Sequence, residues 1–190
     1  MNKIEVLGIV GSLRKDSFNH FALKAAQKLV PDCAVLNLID LHGIPVFNQD
    51  GEKTPPLAVL AFRRRILAAD AILFATPEYN YSVPGVLKNA IDWASRPYGD
   101  SVWVGKPAAV MGASVGGLGT ARAQYHLRQI LVALDMTVVN QPEVMIGNAA
   151  QRFDADGRLT DEPTRQFIRK LLGALVQLVK IGKPGLGKAA

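Results

Sequence analysis

The sequence predicts a three-layer α/β domain with a mostly parallel sheet, and two patterns indicate this fold class. Short apolar runs typical of strands alternate with longer segments whose apolar residues recur at helical spacing. The run at 71–75 is apolar throughout, as expected for a central strand that is buried on both faces. This alternation is typical of βα units whose helices cover both faces of a parallel sheet.

Each element is predicted from its own pattern, in chain order. The predicted strands are 4–10, 34–39, 71–75, 107–112 and a fifth composed of 137–139 and 144–146. The predicted helices are 18–29, a stretch opened by Pro55-Pro56, a stretch with Pro84 near its start, 120–134 and 164–181. Proline is tolerated in the first turn of a helix, and Gly182 with Pro184 marks the end of the last one.

Length and composition predict one domain over residues 1–190, with a loose tail from about 183 to 190. The chain has 190 residues, of which 49% are hydrophobic and 20% charged. This composition excludes disordered and collagen-like chains and supplies enough apolar material for a core without disulfides. The segment from His42 to Pro56 is long and polar, and we interpret it as an insertion or a part of a binding surface.

The charge balance favours anionic partners. Lys and Arg number 22 against 16 Asp and Glu, which gives a net charge of +6. The cluster Arg63-Arg64-Arg65 is expected on a solvated helix face. No nucleic-acid-binding motif accompanies the charge, so we expect no nucleic-acid partner.

Several observations predict a cytoplasmic protein without a metal site. The only cysteine, Cys33, is expected to be buried and inert, and the three histidines have no metal-ligand spacing. No signal-peptide pattern is found at the start of the sequence, and no apolar stretch is long enough for a membrane helix.

The loops after the first, third and fourth strands are the candidate binding loops, because ligands of open α/β sheets bind at the carboxyl ends of strands. The first loop, 11–19, leaves a strand and enters a helix, so its amides face a ligand. Ser12 and Ser17 add hydroxyls, and Arg14 adds a charge suited to a phosphate. The alternative is that Ser17 only caps the helix and Arg14 is a solvated loop residue.

The second loop, 76–85, is stiffened by two prolines and offers the rings of Tyr79 and Tyr81 for stacking on a flat heterocycle. The alternative is that either tyrosine is a half-buried packing residue. Glu78 has no second carboxylate near it in the sequence, so it gives no evidence of acid–base catalysis.

The third loop, 112–120, has three glycines within four residues, which suits close approach of the backbone to a ligand. Its Gly117-Leu118-Gly119 lacks the third glycine of a dinucleotide turn, because Arg122 stands there. The stretch Gly112-Ala113-Ser114-Val115-Gly116 also matches a nucleophile elbow, so a serine hydrolase that uses Ser114 is a further alternative.

Two motifs together resemble the NAD(P)H-dependent FMN reductase family. They are Gly11-Ser12-Leu13-Arg14-x-x-Ser17-x-Asn19 and Pro77-Glu78-Tyr79-Asn80-x-Ser82-x-Pro84-Gly85-x-Leu87-Lys88-Asn89-Ala90-Ile91-Asp92-Trp93. The chain is most similar to the soluble quinone and chromate reductases of that family, also through His126-Leu127-Arg128-Gln129-Ile130-Leu131. The resemblance extends from about residue 3 to 181.

The resemblance implies a flavodoxin-like fold with a five-stranded parallel sheet of order 2-1-3-4-5 and FMN bound non-covalently. It implies that the FMN phosphate is bound by Ser12, Arg14, Ser17, Phe18 and Asn19. The isoalloxazine ring would then be bordered by Pro77, Glu78, Tyr79 and Asn80 on one side and by Ser114, Gly116 and Gly117 on the other.

The same resemblance implies electron transfer from NADPH or NADH to quinones, with chromate as a further acceptor, by a ping-pong mechanism. The protein would supply orientation and electrostatics, so no catalytic side chain is named. The family also implies a homo-oligomer, a dimer or a tetramer, with Tyr79 or Tyr81 near the pocket of a partner chain. An FMN-binding electron carrier without NAD(P)H activity is the alternative of a different class.

Overall fold

The computed structural model describes residues 3–182, and the predicted tail at 183–190 lies outside them. The strands are β1 (Ile4–Val10), β2 (Ala34–Ile39), β3 (Ala71–Ala75), β4 (Pro107–Ala113), β5 (Thr137–Val138) and β6 (Val144–Ile146). The helices are α1 (Phe18–Gln27), α2 (Leu57–Ala68), α3 (Gly85–Ala94), α4 (Ala121–Ala133) and α5 (Glu162–Gly182). These bounds agree with the predicted elements to within a few residues.

The strands form one parallel sheet in the order β2-β1-β3-β4-β5, and β6 also pairs with β4. This confirms the flavodoxin-like fold class and its strand order. Strand order reverses between β1 and β3, since the chain passes from β1 outward to β2 and then returns to the other side. A binding site is therefore expected at the carboxyl ends of these strands.

The predicted fifth strand is divided into two short ones. Val138 pairs with Ala108, and Val144 pairs with Met111. The stretch from Val138 to Val144 is therefore three residues longer than the stretch of β4 from Ala108 to Met111 that it runs beside. Pro142 lies in that extra length, and a proline has no N–H to donate to a ladder. The chain therefore leaves the sheet after β5 and rejoins it as β6.

Alternating residues of the strands pack into two separate hydrophobic cores, one on each face of the sheet. In β3, Leu73 and Ala75 pack into the core beneath α1 and α5, whereas Ile72 and Phe74 pack into the core beneath α2, α3 and α4. All of β3 is buried, as predicted for a central strand. Helices on both faces thus complete the three layers and leave the edge at the carboxyl ends of the strands for the loops.

Two expectations about single residues are wrong. Cys33 is exposed, because it lies in the turn just before β2 and not within the strand. Arg63 is buried, because helical spacing places it on the same face of α2 as Val59 and Ile66. Its guanidinium donates hydrogen bonds to the Ala94 and Arg96 carbonyls and pairs with Asp100, so it stabilises the segment after α3.

Candidate functional site

The structure brings the three candidate loops together at the carboxyl edge of the sheet. The amide of Gly11 donates to the carbonyl of Ala75, at 2.8 Å, which places the first loop beside the second. The side chain of Asn19 donates to the Ala113 carbonyl at 2.9 Å and accepts from the Ala113 amide at 2.8 Å. This pair of hydrogen bonds joins the start of α1 to the end of β4, and so joins the first loop to the third.

The two serines of the first loop fix its backbone. Ser17 Oγ accepts a hydrogen bond from the Asn19 amide at 3.2 Å, so Ser17 is the N-cap of α1. Ser12 Oγ accepts from the Arg14 amide, also at 3.2 Å. Both hydroxyls keep an O–H for a ligand, because a serine hydroxyl donates as well as accepts. The cap predicted as an alternative is thus present, and it leaves the O–H of Ser17 for a phosphate.

The backbone of the first loop presents hydrogen-bond donors. Within residues 3–182, no acceptor contacts the amides of Leu13, Lys15 and Phe18. The Phe18 amide lies at the N-terminus of α1, where unpaired N–H groups and the helix dipole favour an anion, and the Leu13 and Lys15 amides lie in the loop that leads into it. Arg14 is exposed, and its guanidinium donates to the Asp16 carbonyl at 2.7 Å, which keeps the cation over the loop.

Two of the predicted phosphate-binding residues have their side chains engaged within the protein. Asn19 is buried and bonded to Ala113, as described above. The ring of Phe18 packs against Phe21 and Phe153, with centroid distances of 6.2 and 5.6 Å. Both side chains position the loop, and their contact with phosphate stays a prediction.

The second loop contains a tight turn from Tyr79 to Ser82. These two residues exchange backbone hydrogen bonds of 3.0 Å in both directions. Asn80 and Tyr81 at the centre have φ values of 49° and 66°, the pattern of a type I′ turn. A tyrosine with positive φ is uncommon, and here its ring lies 3.7 Å from the guanidinium carbon of Arg122. Tyr79 and Tyr81 are both exposed, so neither is a packing residue.

The carboxylate of Glu78 caps a helix that begins 43 positions later in the chain, at Ala121. It accepts hydrogen bonds from the amides of Arg122 and Ala123, at 3.0 and 3.2 Å, and pairs with the Arg122 guanidinium. Thr120, the N-cap of α4 by position, makes no side-chain cap. Glu78 therefore neutralises the N-terminus of α4 and fixes the second loop against it.

The glycines of the third loop fall into two groups. A Cβ on Gly112 would lie 2.3 Å from the Thr76 carbonyl oxygen, so Gly112 is required by packing. A Cβ on Gly117 would meet nothing within 4 Å, and one on Gly116 would meet only Ser114 Oγ at 3.6 Å. Gly116 and Gly117 are exposed, so the space beside them is open to a ligand.

A cleft of about 490 Å³ lies between the second and third loops. Its lining residues are Glu78, Asn80, Tyr81, Ser114, Gly116, Gly117, Leu118, Gly119 and Arg122. Five of the predicted ring-binding residues line it, whereas Pro77 is buried beneath it and Tyr79 lies beside it on the same turn. The predicted phosphate-binding residues lie outside the cleft, on the neighbouring first loop.

Four residues line the cleft but are not among the predicted site residues: Tyr81, Leu118, Gly119 and Arg122. The sequence does indicate a binding role for Tyr81, since its ring is one of the two proposed for stacking on a heterocycle. The indication for Arg122 is weaker, because it replaces a glycine of the dinucleotide pattern and lies off the apolar stripe of α4. The contact of Arg122 with Glu78 and Tyr81 has no signal in the local sequence.

The arrangement around Ser114 does not support a hydrolase. Ser114 Oγ accepts a hydrogen bond from the Gly116 amide at 3.2 Å. His126 contacts a different serine, with its Nδ1 3.0 Å from Ser82 Oγ. In the part of the chain that the structure describes, no histidine contacts Ser114, so the general base of a nucleophile elbow is missing.

Residues 3–182 also bear on metal and membrane sites. No group of three or more His, Cys, Asp or Glu side chains is placed to hold a metal ion. None of the helices there combines the length and apolar character needed to cross a membrane.

Comparison with known proteins gives consistent matches. A family model described as NADPH-dependent FMN reductase matches residues 4–151. The chain is 58% identical over 173 residues to an NAD(P)H-dependent FMN reductase of Pseudomonas aeruginosa, covering 90% of this chain and 93% of that one. It is 48% identical over 182 residues to an NAD(P)H:quinone oxidoreductase of Solanum tuberosum, covering 92% of each. A solved flavoenzyme NAD(P)H:(acceptor) oxidoreductase of Paracoccus denitrificans aligns with a TM-score of 0.85 and 43% identity, covering 94% of this chain and 98% of that one.

Proposed function

The chain belongs to the NADPH-dependent FMN reductase family, and from this premise we propose that its loops bind FMN for electron transfer from NAD(P)H to quinones. The chain is an NAD(P)H-dependent flavoenzyme by the match over residues 4–151 and by relatives that align over nine-tenths of its length. The observation that carries the residue assignment is the meeting of three ligand-facing loops at one edge of the sheet. We also propose that the chain acts as a single domain, because one sheet connects both cores.

The residues present fit FMN at both ends of the molecule. The phosphate end suits the first loop, where the unpaired amides, the hydroxyls of Ser12 and Ser17 and the cation of Arg14 converge. The ring end suits the cleft, because among the described residues a Cβ on Gly117 would meet nothing within 4 Å and one on Gly116 would meet only Ser114 Oγ at 3.6 Å. Asn19 links the two ends by holding α1 against β4.

The roles of the remaining ring-binding residues follow from their positions. Asn80 and Ser114 line the cleft with polar groups, and Tyr79 lies at its edge on the turn. Pro77 is buried and stiffens the start of the second loop. Glu78 has its carboxylate committed to α4, so only its backbone is available to the ring.

The chemistry comes from the cofactor, and the protein positions its reactants. FMN held by these loops would supply the redox chemistry between the nicotinamide and the acceptor, and the residues of the cleft would hold both reactants beside it. The turn at 79–82 and the third loop would orient the donor and the acceptor. Arg122, with its charge balanced by Glu78, supplies a planar cation at the cleft wall.

Quinones are the acceptor class that the relatives' names support, and we propose chromate as a second acceptor. Chromate is an oxyanion, and the net charge of +6 attracts anions over long distances. The alternative of a flavodoxin-like carrier is not favoured, since the relatives are named as reductases of quinones.

We also propose that the chain forms a homo-oligomer through the exposed face of α4. Tyr125 and Val132 are exposed on that helix and lie two turns apart, so they share one face. Tyr79, Tyr81 and Leu118 are exposed at the cleft beside it. Exposed aromatic residues grouped in this way are typical of interfaces.

The visible absorption spectrum of the purified full chain tests the function. We expect flavin bands, or their appearance as bound cofactor after addition of FMN, and bleaching of these bands by NADPH in the absence of oxygen. Addition of a benzoquinone should then restore them. Bands that bleach with dithionite and not with NADPH or NADH would favour the electron carrier. A chain that binds no FMN would overturn the proposal.

A further inference from the structure

The glycine loop, defined as residues 114–119, has no regular structure of its own and depends on a neighbouring segment. The Ser114 amide donates to the Ile146 carbonyl at 2.9 Å, and the Ser114 carbonyl accepts from the Ala149 amide at 3.0 Å. The Gly116 carbonyl accepts from the Asn148 amide at 3.2 Å. Each of these hydrogen bonds joins the glycine loop to residues 146–149.

Close packing adds to these hydrogen bonds at Gly147. A Cβ on Gly147 would lie 2.3 Å from the Gly117 carbonyl oxygen. The two backbones are therefore in direct contact, and a shift of Gly147 has to shift Gly117. Gly117 is one of the two residues that leave the cleft open.

The side chain of Arg152 in turn holds the segment 146–149. Asn148 has a φ of 49°, so the chain turns sharply there before a single turn of 3-10 helix at Ala149–Gln151. Arg152 Nε donates to the Gly147 carbonyl at 2.8 Å across this turn. The guanidinium also pairs with Asp161 at 2.8 Å and donates to Thr164 Oγ1 at 3.1 Å. Arg152 thus ties Gly147 to the N-terminus of α5.

We propose that Arg152 is a positioning residue for FMN binding, which acts by holding Gly147 against the glycine loop at the cleft. Its side chain does not line the cleft but is hydrogen-bonded to Gly147, so we expect it to act through the 146–149 segment. A planar guanidinium suits this role because it offers donors in several fixed directions, toward Gly147 on one side and Asp161 and Thr164 on the other. The inference rests on the proposed function, since it needs FMN in the cleft.

The test is a titration of the full-length Arg152→Met apoprotein with FMN. Quenching of the flavin fluorescence reports binding and gives the Kd. We expect the Kd for FMN to rise roughly tenfold, because charge-assisted hydrogen bonds that fix the loop are lost. The spectrum of the bound flavin should also change, since the ring environment is no longer fixed. Arg152→Lys, which keeps the charge and a single donor group, should recover part of the affinity.

The matched control is Arg158→Met. Arg158 is also on the segment before α5, but its side chain is 70% exposed, and the ion pair that its guanidinium makes within residues 3–182 is with the exposed Asp156, at 3.3 Å. We expect this variant to bind FMN with the wild-type Kd and to show the wild-type spectrum. The thermal midpoint of each apoprotein is measured separately, because a purely structural role would lower the midpoint of Arg152→Met and leave its Kd unchanged.

Gly147→Ala and Asp161→Asn keep the inference testable if Arg152→Met fails to fold. Gly147→Ala pushes directly on Gly117 with Arg152 intact, and Asp161→Asn weakens the anchor of Arg152. Both should weaken FMN binding. If the wild-type chain binds FMN and the folded variants bind it with the same Kd, this inference is overturned and the proposed function is not. A wild-type chain that takes up no FMN would overturn the proposed function and this inference together.

Discussion

At the scale of single residues, the first loop contains side chains that stabilise its conformation and other groups that remain available to a ligand. Asn19 and the ring of Phe18 are engaged inside the protein, whereas Arg14 remains exposed above amides with open N–H groups. The oxygens of Ser12 and Ser17 accept from the backbone and still carry a hydrogen to donate. The phosphate binding that we propose for this loop therefore rests mainly on Arg14 and on the backbone amides.

Arg14→Ala is expected to raise the Kd for FMN by roughly ten- to hundredfold, because a hydrogen bond to a charged group contributes about 1.5–3 kcal/mol. The affinity for riboflavin, which lacks the phosphate, should hardly change. Fluorescence titration of the apoprotein with each flavin gives both values.

Lys15→Ala is the control for Arg14→Ala, since Lys15 is exposed in the same loop. The substitution also removes one positive charge. It should change the Kd by less than Arg14→Ala does. Equal losses of affinity in the two variants would mean that only net charge matters and that Arg14 makes no specific contact.

At the scale of elements, the helices beside the site begin with caps that come from different sources. The cap of α1 is local, from Ser17. The cap of α4 comes from Glu78 in the second loop, which ties the helix to the turn at 79–82. The cap of α5 comes from Asp161, which accepts from the Thr164 amide at 2.9 Å and pairs with Arg152. The caps of α4 and α5 thus connect the helices to the cleft as well as ending them.

Glu78→Gln should lower the free energy of unfolding of the apoprotein by about 1–2 kcal/mol, because the ion pair with Arg122 and the charge at the N-terminus of α4 are lost. Urea denaturation followed by circular dichroism measures the change. Glu162→Gln is the control, since its carboxylate is 55% exposed in surface ion pairs and should contribute less than about 1 kcal/mol. A smaller loss in Glu78→Gln than in the control would contradict the role of Glu78 as a cap.

The pH dependence of stability should report on Asp161. Hydrogen bonds from Thr164, and then the charge of Arg152, hold the pKa of Asp161 below its usual value of 3.8. A carboxyl group whose pKa is lower in the folded state stabilises that state above pH 3.8 and loses this contribution as the pH falls through the folded pKa.

Asp161→Asn should therefore be less stable than the wild type at pH 7, and the difference should narrow below about pH 3.8. Urea unfolding of the apoprotein between pH 7 and 3 measures this difference. Asp156→Asn, in an exposed ion pair, should show little difference from the wild type at any pH. A constant gap between Asp161→Asn and the wild type across the range would refute the assignment.

At the scale of the whole molecule, the two cores beneath the sheet faces leave the binding loops at one edge and an exposed face on α4. The cleft is shallow in one chain, since Gly116, Gly117 and Leu118 are all exposed. A partner copy on the α4 face would cover the neighbouring tyrosines and enclose the cleft. Oligomer formation and catalysis are therefore expected to depend on the same surface.

Light scattering at micromolar concentration should give a mass of at least twice 20.5 kDa. Val132→Glu should lower this mass, because it replaces an exposed apolar side chain of α4 by a charge. Phe167→Glu, with an exposed ring on α5, is the control and should keep the mass of the wild type. A monomeric mass for the wild type would contradict the oligomer.

The sequence by itself determined the α/β class, nearly all element bounds and the three candidate loops, because these depend on periodicity and on turn residues close together in the chain. Only the tertiary structure decided that Glu78 caps α4, that Asn19 joins α1 to β4 and that Arg63 is buried. The hydrogen bonds of Glu78 and Asn19 join residues 44 and 94 positions apart. No local pattern encodes such partners, since they are chosen by how the folded elements pack against one another. For the same reason the sequence predicted a single fifth strand from the segments 137–139 and 144–146, and only their pairing with β4 shows that they are two strands on either side of Pro142.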